Sequence, residues 1–523
     1  MRSTFGGLNT MVRGINSSQL SLDTTGHNIT NANTEGYSRQ RVNVAATGSQ
    51  TVYGFYGSCQ LGTGVDTTSI TRARDVFADK QYWKESSNTN YSTSKQAAYD
   101  KIEAIFDESD KSGMQTTLNE FWSSWKDLGN KASDSSARVV VRDRGKKLTE
   151  IMQKYSTQLQ DLATDNNDQI KLKINMVNQI TSDIYDLNKQ IFKLESTGGY
   201  ANDLRDSRDL LVDQLSSFVN VNVYEQPNGT YSISSGGNIL VDGDSFLKLS
   251  TKESIDKNYG INQVDIIVEK TGTVFKPENG QLKGLQDSIA ESKKYIDEMS
   301  AMSAYLLTTF NDAHKAGYGL KDTTGVNFFG ADGKVNADGS GSISYAYDAS
   351  HKVFTKTDSS TVPPVTTQLT AIEVIKELNV NERFDETNGT ELIAAKTQKG
   401  TTGTGATDGE NVASGSNAII LGDLLHTNSS SPTLGNVTLI AYYTGMMGKL
   451  GIDAQGVDRS VTNQENIMTQ INNWRGSVSG VNWDEELTDM IRFQTAYKSC
   501  SRCLTAMDEM LDKLINSTGV VGR

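Results

Sequence analysis

The chain has 523 residues, a formal net charge of -13 at pH 7 and 36% hydrophobic residues. That length is enough for about two to four domains with their own cores. The acidic balance, without a basic stripe, excludes a nucleic-acid partner and an anionic membrane surface, since both require clusters of Lys and Arg. No apolar run approaches the ~18 residues of a membrane span, and the first residues contain no secretory-type stretch. The residues alone therefore predict a cytoplasmic protein.

The sequence contains no motif that calls for catalysis. Its three cysteines, Cys59, Cys500 and Cys503, are odd in number and predict no disulfide framework. Cys500 and Cys503 form a Cys-x-x-Cys inside a predicted helix with no histidine nearby, so we interpret them as packing residues. His-Glu-x-x-His, Gly-x-Ser-x-Gly and phosphate-loop motifs are all lacking. We therefore expect no enzyme, with no catalytic residue, metal ligand or cofactor.

The most regular hydrophobic pattern lies near the end of the chain, where apolar residues recur at gaps of three and four. These positions are Met490, Phe493, Tyr497, Cys500, Leu504, Met507, Leu511 and Leu514. A matching run near the start consists of Phe5, Leu8, Val12, Ile15, Leu22 and Ile29, with Gln19 and Gly26 at the intervening positions. Such spacing is typical of helices that wind around one another. We predict that the first and last helices pair as a coiled-coil stem and form the self-assembly seam.

The first part of the chain is predicted to be a long helix followed by an extended arm. Ser3 or Thr4 can cap a helix that ends near Ile29 or Thr30, where Asn and Gly residues cluster. Residues 38–70 are rich in Gly, Thr and Val without a helical period, which favours a small β segment. A helix then begins near Arg72, with a second piece around 99–106.

The middle of the chain is predicted to be helical with one β region. Helices are expected around 118–128, over 136–195 and through 204–215. At Val219 the period changes to two, which predicts a hairpin around Asn228-Gly229 and further strands towards residue 270. A helix follows over 282–316.

The remaining sequence predicts an outer insert and a helical return. Residues 321–409 contain Gly, Thr and Asp turns around short strands, and a long helix then leads to the final seam. The predicted fold class is α+β, mainly α, with a helical-bundle middle domain. We expect three units: a terminal stem (1–71 with 481–523), a helical rod (72–320 with 410–480, including a β region at 219–270), and a variable, mostly β outer domain (321–409).

The segment that ends the first helix reads His-Asn-Ile-Thr-Asn-Ala-Asn-Thr-Glu-Gly-Tyr-Ser-Arg over residues 27–39. It resembles the signature of the axial proteins of the bacterial flagellum, and the Ser-Arg-Gln run at 38–40 is similar to that of the hook-associated protein 1 family. The signature residues are His27, Asn28, Asn31, Gly36, Tyr37, Ser38 and Arg39. Further similar segments, in the same order as in the family, are 61–65, 72–75, 81–83, 201–209, 310–314, 477–486 and 508–512.

The resemblance covers everything except roughly 321–409. Its departures are small: Glu35 stands where many relatives have Pro, Trp483 where Leu is usual, and the Cys pair is not a family feature. Two alternatives are another axial protein, such as flagellin or the hook protein, and a surface adhesin carried on the outer domain. The Ser38-Arg39-Gln40 run argues against the first, and the lack of any His-carboxylate cluster in the insert argues against the second.

The resemblance implies a structural protein that joins the hook to the filament and templates filament growth. Its expected partners are copies of itself in a ring at the hook tip, the hook protein below and a second hook-associated junction protein above. A cytoplasmic export chaperone is expected on the C-terminal helix. The resemblance also implies export, unfolded and without a cleaved signal peptide, through the flagellar type III apparatus to the extracellular hook-filament junction. This overrides the cytoplasmic expectation.

Overall fold

The computed structural model describes residues 6–54, 57–107, 113–243, 245–336, 339–348, 353–400, 414–424 and 432–517. Within them the chain forms eleven α-helices and thirteen strands, so the predicted α+β class is confirmed. The helices are α1 Gly6–Thr30, α2 Val76–Ile105, α3 Met114–Asn130, α4 Ser135–Glu195, α5 Asn202–Phe218, α6 Gly280–Tyr305, α7 Asn311–Ala316, α8 Ala371–Glu377, α9 Ser416–Asp423, α10 Leu439–Ser479 and α11 Trp483–Asp512. The strands are β1 Gln40–Ala46, β2 Gln50–Gly54, β3 Gly57–Leu61, β4 Val65–Arg72, β5 Asn222–Glu225, β6 Tyr231–Ser235, β7 Asn238–Asp242, β8 Ser245–Phe246, β9 Leu249–Asp256, β10 Ile261–Val268, β11 Ile343–Asp348, β12 Val353–Asp358 and β13 Val365–Leu369.

The longest element is α4, whose 61 residues span about 90 Å. Asp134 caps its first turn by accepting a hydrogen bond from the Ser136 amide. Its buried side recurs at gaps of three and four and is covered by α3, α5 and α6. We call α2, α3, α4, α5, α6 and α10 together the rod, because these helices pack against one another.

The structure differs from the sequence prediction in α2, which is one continuous helix rather than two pieces. Its middle contains Ser86, Ser87 and Ser92, which are buried although they carry no apolar period. A Cβ at Gly284 of α6 would lie 2.6 Å from the Ser94 Cβ, so the two helices are in very close contact there. Small side chains allow this approach, and the packing rather than the intrinsic propensity keeps the segment helical.

The β elements form five small antiparallel sheets among the described residues. The predicted Asn-Gly hairpin joins β5 to β6 and opens a four-stranded sheet in the order β5-β6-β7-β8. β9 pairs with β10, and β11, β12 and β13 form a three-stranded sheet. Near the start of the chain, β1 pairs with β4 and β2 with β3, as two nested hairpins.

An aromatic cluster joins the helical core to the segment after α7. The Phe121 ring lies 5.7 Å from Phe310, and Trp125 lies 5.2 Å from Phe328, measured between centroids. Phe328 also contacts Phe384 at 5.4 Å, and all five side chains are buried. Residues near both ends of the 321–409 segment therefore belong to the core of the helical region. The three-stranded sheet β11–β13 lies between them in sequence.

Candidate functional site at the stem and its joint with the rod

The first and last helices of the described chain, α1 and α11, lie side by side, and the β1–β4 hairpin packs against α1. We call these elements the stem. The two helices lie close together at Gly14, where an added Cβ would lie 3.0 Å from the Cys500 Sγ. The helices α1 and α11 are thus neighbours in space, although they are separated by most of the sequence.

The face that α1 buries differs from its predicted apolar stripe. The buried residues of α1 are small and polar: Ser17, Ser21, Thr24, Thr25 and Asn28. By contrast, Val12 is 37% exposed, and the predicted stripe residues Leu8, Ile15, Leu22 and Ile29 are only half-buried. Phe5 lies outside the described residues.

Small polar residues can form this contact because their hydroxyls are satisfied within the helix. The Ser21 hydroxyl donates to the Ser17 carbonyl at 2.9 Å, and the Thr24 hydroxyl donates to the Leu20 carbonyl at 2.9 Å. Back-bonded hydroxyls add little bulk and leave no unpaired donor, so a neighbouring element can approach closely. A hydrophobic pattern cannot detect such a face.

On α11 the predicted stripe coincides with the less exposed side of the helix. Its half-buried members are Met490, Phe493, Cys500, Leu504, Met507 and Leu511. Tyr497 is 36% exposed and Leu514 is 57% exposed. Of the described residues of α11, Glu486 alone is buried. The stripe is therefore only partly covered by α1, and its role in self-assembly remains a prediction.

Asn28 is the centre of the signature segment and joins three parts of the stem. Its side-chain oxygen accepts hydrogen bonds from the Tyr37 hydroxyl at 2.8 Å and from the Gln40 amide at 2.9 Å. Its side-chain nitrogen donates to the Gln40 carbonyl at 2.9 Å and to Glu486 Oε2 at 3.0 Å. The side chain is 2% exposed, so every polar atom of this amide is paired inside the protein.

Arg39 connects the signature segment to both helices at the C-terminal end. Its Nε donates to Glu486 Oε1 at 2.5 Å, and its Nη1 donates to Glu485 Oε2 at 2.7 Å. Its backbone amide donates to the Ser479 carbonyl, the last residue of α10, at 2.9 Å. Burial alone would lower the pKa of the Arg39 guanidinium, but the charges and hydrogen bonds of Glu486 and Glu485 together raise it.

The other signature residues shape the turn between α1 and β1. His27 Nδ1 lies 2.9 Å from the Tyr37 hydroxyl, and Asn31 donates to the His27 carbonyl at 3.0 Å. Gly36 has φ +80°, and a Cβ there would lie 3.1 Å from the Leu210 Cβ, so both backbone and space favour glycine. The Ser38 amide donates to Asp206 Oδ2 at 3.0 Å, which ties the turn to α5.

A buried ionic cluster joins β4 and the start of α2 to α5. Arg72 Nη1 donates to Asp206 and to Asp209, at 2.7 Å in both cases. Arg74 donates to Asp79 at 2.8 Å and lies 3.3 Å from Asp209. Burial alone would raise the pKa of the Asp209 carboxyl, but Arg74 and Arg72 together lower it. Burial raises the pKa of Asp206 despite Arg72.

Arg475 extends this cluster to α10. Its Nε donates to Asp79 Oδ1 at 2.7 Å and its Nη1 to Asp213 Oδ2 at 2.7 Å, while its guanidinium lies 4.5 Å from the centre of the Tyr82 ring. The Trp83 indole nitrogen also donates to Asp213, at 2.7 Å. These paired charges connect α2, α5 and α10 where the rod meets the stem. We call these paired residues the joint.

The hydrophobic pattern identified none of the charged residues of the joint. Arg72, Arg74, Asp206 and Asp209 lie within two segments that carry the family resemblance, 72–75 and 201–209. The structure brings these separate segments together, which explains why they occur as short blocks far apart in the sequence. The usable signal is the pair Arg72 and Arg74 in one segment and the acids Asp206 and Asp209 in another.

The chemistry of this site is structural. Among the described residues there is no group of three or more His, Cys, Asp or Glu side chains that could hold a metal ion. Cys59 and Cys503 are exposed free thiols, and Cys500 is a half-buried free thiol. In the described part of the chain, no helix combines the length and the apolar character needed to cross a membrane.

Comparison with known proteins agrees with a structural role for this site. Residues 99–329 match the family model described as the flagellar hook-associated protein FlgK helical domain, and residues 477–517 match the C-terminal model of the flagellar basal body rod FlgEFG proteins. Flagellar hook-associated protein 1 of Bacillus subtilis (strain 168) is 30% identical over 554 aligned positions that cover 100% of both chains. The Escherichia coli (strain K12) protein of the same name is 25% identical, covering 97% of this chain and 99% of its own.

A solved structure shows the same fold. The flagellar hook junction protein FlgK from Burkholderia pseudomallei aligns with a TM-score of 0.60 and 17% identity, covering 76% of this chain and 100% of that one. The fold, the paired terminal helices and these matches define a structural, axial protein of the bacterial flagellum rather than an enzyme. The chain belongs to the flagellar hook-associated protein 1 family.

Proposed function

We propose that this chain joins the hook to the filament of the flagellum, assembles there as a ring of copies, and templates filament growth through its paired terminal helices. The names of its relatives refer to the hook and to the hook junction. On this proposal the hook protein lies below the ring and a second hook-associated junction protein lies above it.

The observation that carries the proposal is the apolar surface that the stem leaves exposed. Leu487 is 46% exposed, Ile491 is 66% exposed and Ile515 is 67% exposed. On α1, Met11 and Leu20 flank the predicted seam positions and are half-buried. Exposed apolar side chains on one element favour association, and each one buried against a neighbour contributes ~1.5–3 kcal/mol. A ring of stems would bury these residues between copies.

The route to the junction is also part of the proposal. We infer that the chain is exported unfolded through the flagellar type III apparatus, without a cleaved signal peptide. Before export, the stripe from Met490 to Leu514 lacks the neighbouring stems that would cover it. An amphipathic helix of a cytoplasmic chaperone, laid along α11, fits a stripe of this spacing.

The proposal also gives each predicted unit of the chain a place in the flagellum. We propose that the stem (1–71 with 481–523) lies along the axis, that the rod (72–320 with 410–480, with its β region at 219–270) forms the wall, and that residues 321–409 face outward. The three-stranded sheet β11–β13 suits an outward position, because Val365 is 54% exposed. The aromatic residues near both ends of that segment anchor it to the rod.

The proposal is tested by placing a charge on the outward face of the stem. Ile491→Lys puts a lysine at a 66% exposed position, so the isolated chain should fold normally. In cells that lack their own copy, we expect this variant to be secreted into the medium and the number of filaments per cell to fall at least about tenfold, since a buried unpaired charge is costly.

The matched control is Ile255→Lys, the same change at a 70% exposed position on β9, away from the stem. It should leave filament number within about twofold of normal, as expected for a surface substitution away from special features. Normal filaments on the Ile491→Lys cells, counted by electron microscopy, would contradict assembly through this face.

A further inference from the structure

The four-stranded sheet β5-β6-β7-β8 has an open edge at β5. Asn222, Tyr224 and Glu225 of this strand are exposed, Tyr224 by 65%, and Val223 is half-buried. Of the described elements, β6 is the one that runs along β5. An edge strand presents N–H and C=O groups on its outer side, and such an edge can accept a further strand from another chain.

The hairpin register shows which main-chain groups of β5 face outward. The Gln226 amide donates to the Thr230 carbonyl at 2.8 Å. In an antiparallel ladder every second residue, counted from this pair, exchanges hydrogen bonds with its partner strand. Val223 falls between two such pairs, opposite Ile233, so its N–H and C=O point away from β6. Within the described part of the chain, no group outside this sheet bonds to either of them.

A cleft of about 540 Å³ lies beside this edge. One wall consists of residues 220–223, and the other is the side of α2 that runs from Lys80 to Asn88. At ~3.3 Å per residue in a strand and ~1.5 Å per residue in a helix, the two walls are about 10 Å and 12 Å long. We call this cleft the slot, because a strand edge and a helix of similar length bound it on two sides.

The α2 wall of the slot carries two exposed lysines, Lys80 and Lys84. In the part of the chain that the structure describes, neither ammonium forms an ion pair. Of the described residues that line the slot, Glu278 alone is acidic, and its Oε2 accepts from Asn220 Nδ2 at 3.1 Å. The slot is therefore net positive in a chain whose net charge is -13.

The spacing of the two lysines matches an extended chain. Lys80 and Lys84 are four residues apart on a helix, so they lie on one side with an axial separation of about 6 Å. Alternate residues of a strand also lie on one side, about 6.6 Å apart, whereas adjacent residues point to opposite sides. Pairing of β5 with β5 of a second copy is disfavoured, because it would place the lysines of both copies in one cleft.

We propose that the slot binds an extended, acidic segment of another protein, which adds to the sheet as a fifth strand beside β5. The main chain of this segment pairs with Val223, and its acids, at alternate positions, contact Lys80 and Lys84. The partner is thus recognised by backbone pairing and by charge spacing together. The slot uses no residue of the stem, so the proposal is independent of the proposed junction role.

The probe is the hexapeptide Thr-Glu-Val-Glu-Val-Thr with an N-terminal fluorescein, titrated with the full chain and followed by fluorescence anisotropy. We expect saturable binding, and binding at least about threefold weaker for the isomer Thr-Val-Glu-Glu-Val-Thr, in which one acid faces away from the lysines. Equal affinity for the two peptides, or no binding with up to about 0.5 mM chain, would overturn the proposal. Dimerisation of the chain that the peptide reverses would make the occupant a second copy and would also overturn it.

Charge reversal tests the lysine wall. Lys80→Glu with Lys84→Glu should weaken peptide binding about tenfold or more, because both contacts become repulsive. The matched control is Lys252→Glu with Lys270→Glu, which changes the net charge equally at two exposed lysines of the β9–β10 hairpin. It should alter the affinity less than about twofold, since distant surface charges are screened. An equal loss in the two double variants would show a general charge effect and no site.

Val223→Pro tests the strand pairing. Proline lacks the N–H that Val223 directs away from β6, and it is tolerated on edge strands, so the ladder with β6 is kept. Binding should weaken about fivefold or more, with circular dichroism unchanged. A peptide that is N-methylated at every residue repeats the test on the natural chain and should not bind, because it has no main-chain donor. Unchanged affinity in a folded Val223→Pro chain, or binding of the methylated peptide, would contradict the added strand.

Discussion

His314, near the end of α7, is a residue whose chemistry follows from its burial. It is 1% exposed, its Nδ1 lies 2.8 Å from the Val326 carbonyl, and its Nε2 accepts from the Ala394 amide at 3.0 Å. Nδ1 faces a carbonyl and must carry a proton to donate, whereas Nε2 faces an amide N–H and must be unprotonated to accept. The imidazole ring is therefore neutral, with its proton on Nδ1. Burial lowers the pKa of His314 from 6.5 to about 4.

The lowered pKa predicts a loss of stability in mild acid. Below pH 6.5 His314 becomes protonated in the unfolded chain, whereas in the folded chain it stays neutral until the pH approaches its folded pKa of about 4. Protonation therefore favours the unfolded state, and the free energy of unfolding falls as the pH falls through this window. Between pH 7.5 and pH 5 the contribution of His314 amounts to about 2 kcal/mol. Urea unfolding at the two pH values measures the change.

His314→Gln is the control, since glutamine cannot titrate in this range. Asp206 and Asp213, whose pKa values are raised by burial, act in the opposite direction and stabilise the fold as the pH falls, so the quantity to compare is the difference between the two proteins. An equal pH dependence in His314→Gln and in the natural chain would show that His314 does not carry the effect.

At the scale of the elements, α2 shows why hydrophobic periodicity can miss a helix. Ser94, in its serine-rich middle, lies at a close contact with Gly284 of α6. Gly284→Ala should destabilise the fold by about 1–3 kcal/mol, because a Cβ there would lie 2.6 Å from the Ser94 Cβ and 3.0 Å from the Tyr91 carbonyl oxygen. Thermal unfolding followed by circular dichroism provides the measurement.

A matched control for this prediction lies in α10. Gly448 is also inside a helix, but a Cβ there would meet nothing within 4 Å. Gly448→Ala should therefore raise stability by roughly 0.5–1 kcal/mol through the better helix propensity of alanine. Equal changes in stability for the two substitutions would mean that the close contact of α2 with α6 does not restrict the side chain at position 284.

The elements that sequence reasoning predicted well are those with an unbroken period. The α4 helix, predicted over 136–195, runs over Ser135–Glu195, and the Asn228-Gly229 turn joins β5 to β6. The buried face of α1 could not be predicted in the same way, because its residues are small and polar and show no apolar pattern, and Ser21 and Thr24 satisfy their hydroxyls within the helix. The ionic joint could not be derived from spacing either, since Arg72 and Asp206 are 134 residues apart.

At the scale of the whole molecule, the chain goes out along the rod and returns to the stem. The predicted pairing partners near the two ends lie side by side as α1 and α11, and the joint of Arg72, Arg74 and Arg475 with four acids links them to the rod. Phe328 and Phe384 of the 321–409 segment pack into the core with Trp125 and Phe121. The separate outer domain predicted for this segment stays a prediction.

The central claim, a ring of these chains at the hook tip built through the stem, is tested most directly by electron cryomicroscopy of purified hooks from cells with and without this protein. We expect one extra layer at the hook tip in the presence of the chain, with α1 and α11 nearest the axis, the β11–β13 sheet outermost and Ile491 covered by a neighbouring copy. Hook tips that look the same in both preparations, or a layer with the stem facing the solvent, would contradict the account.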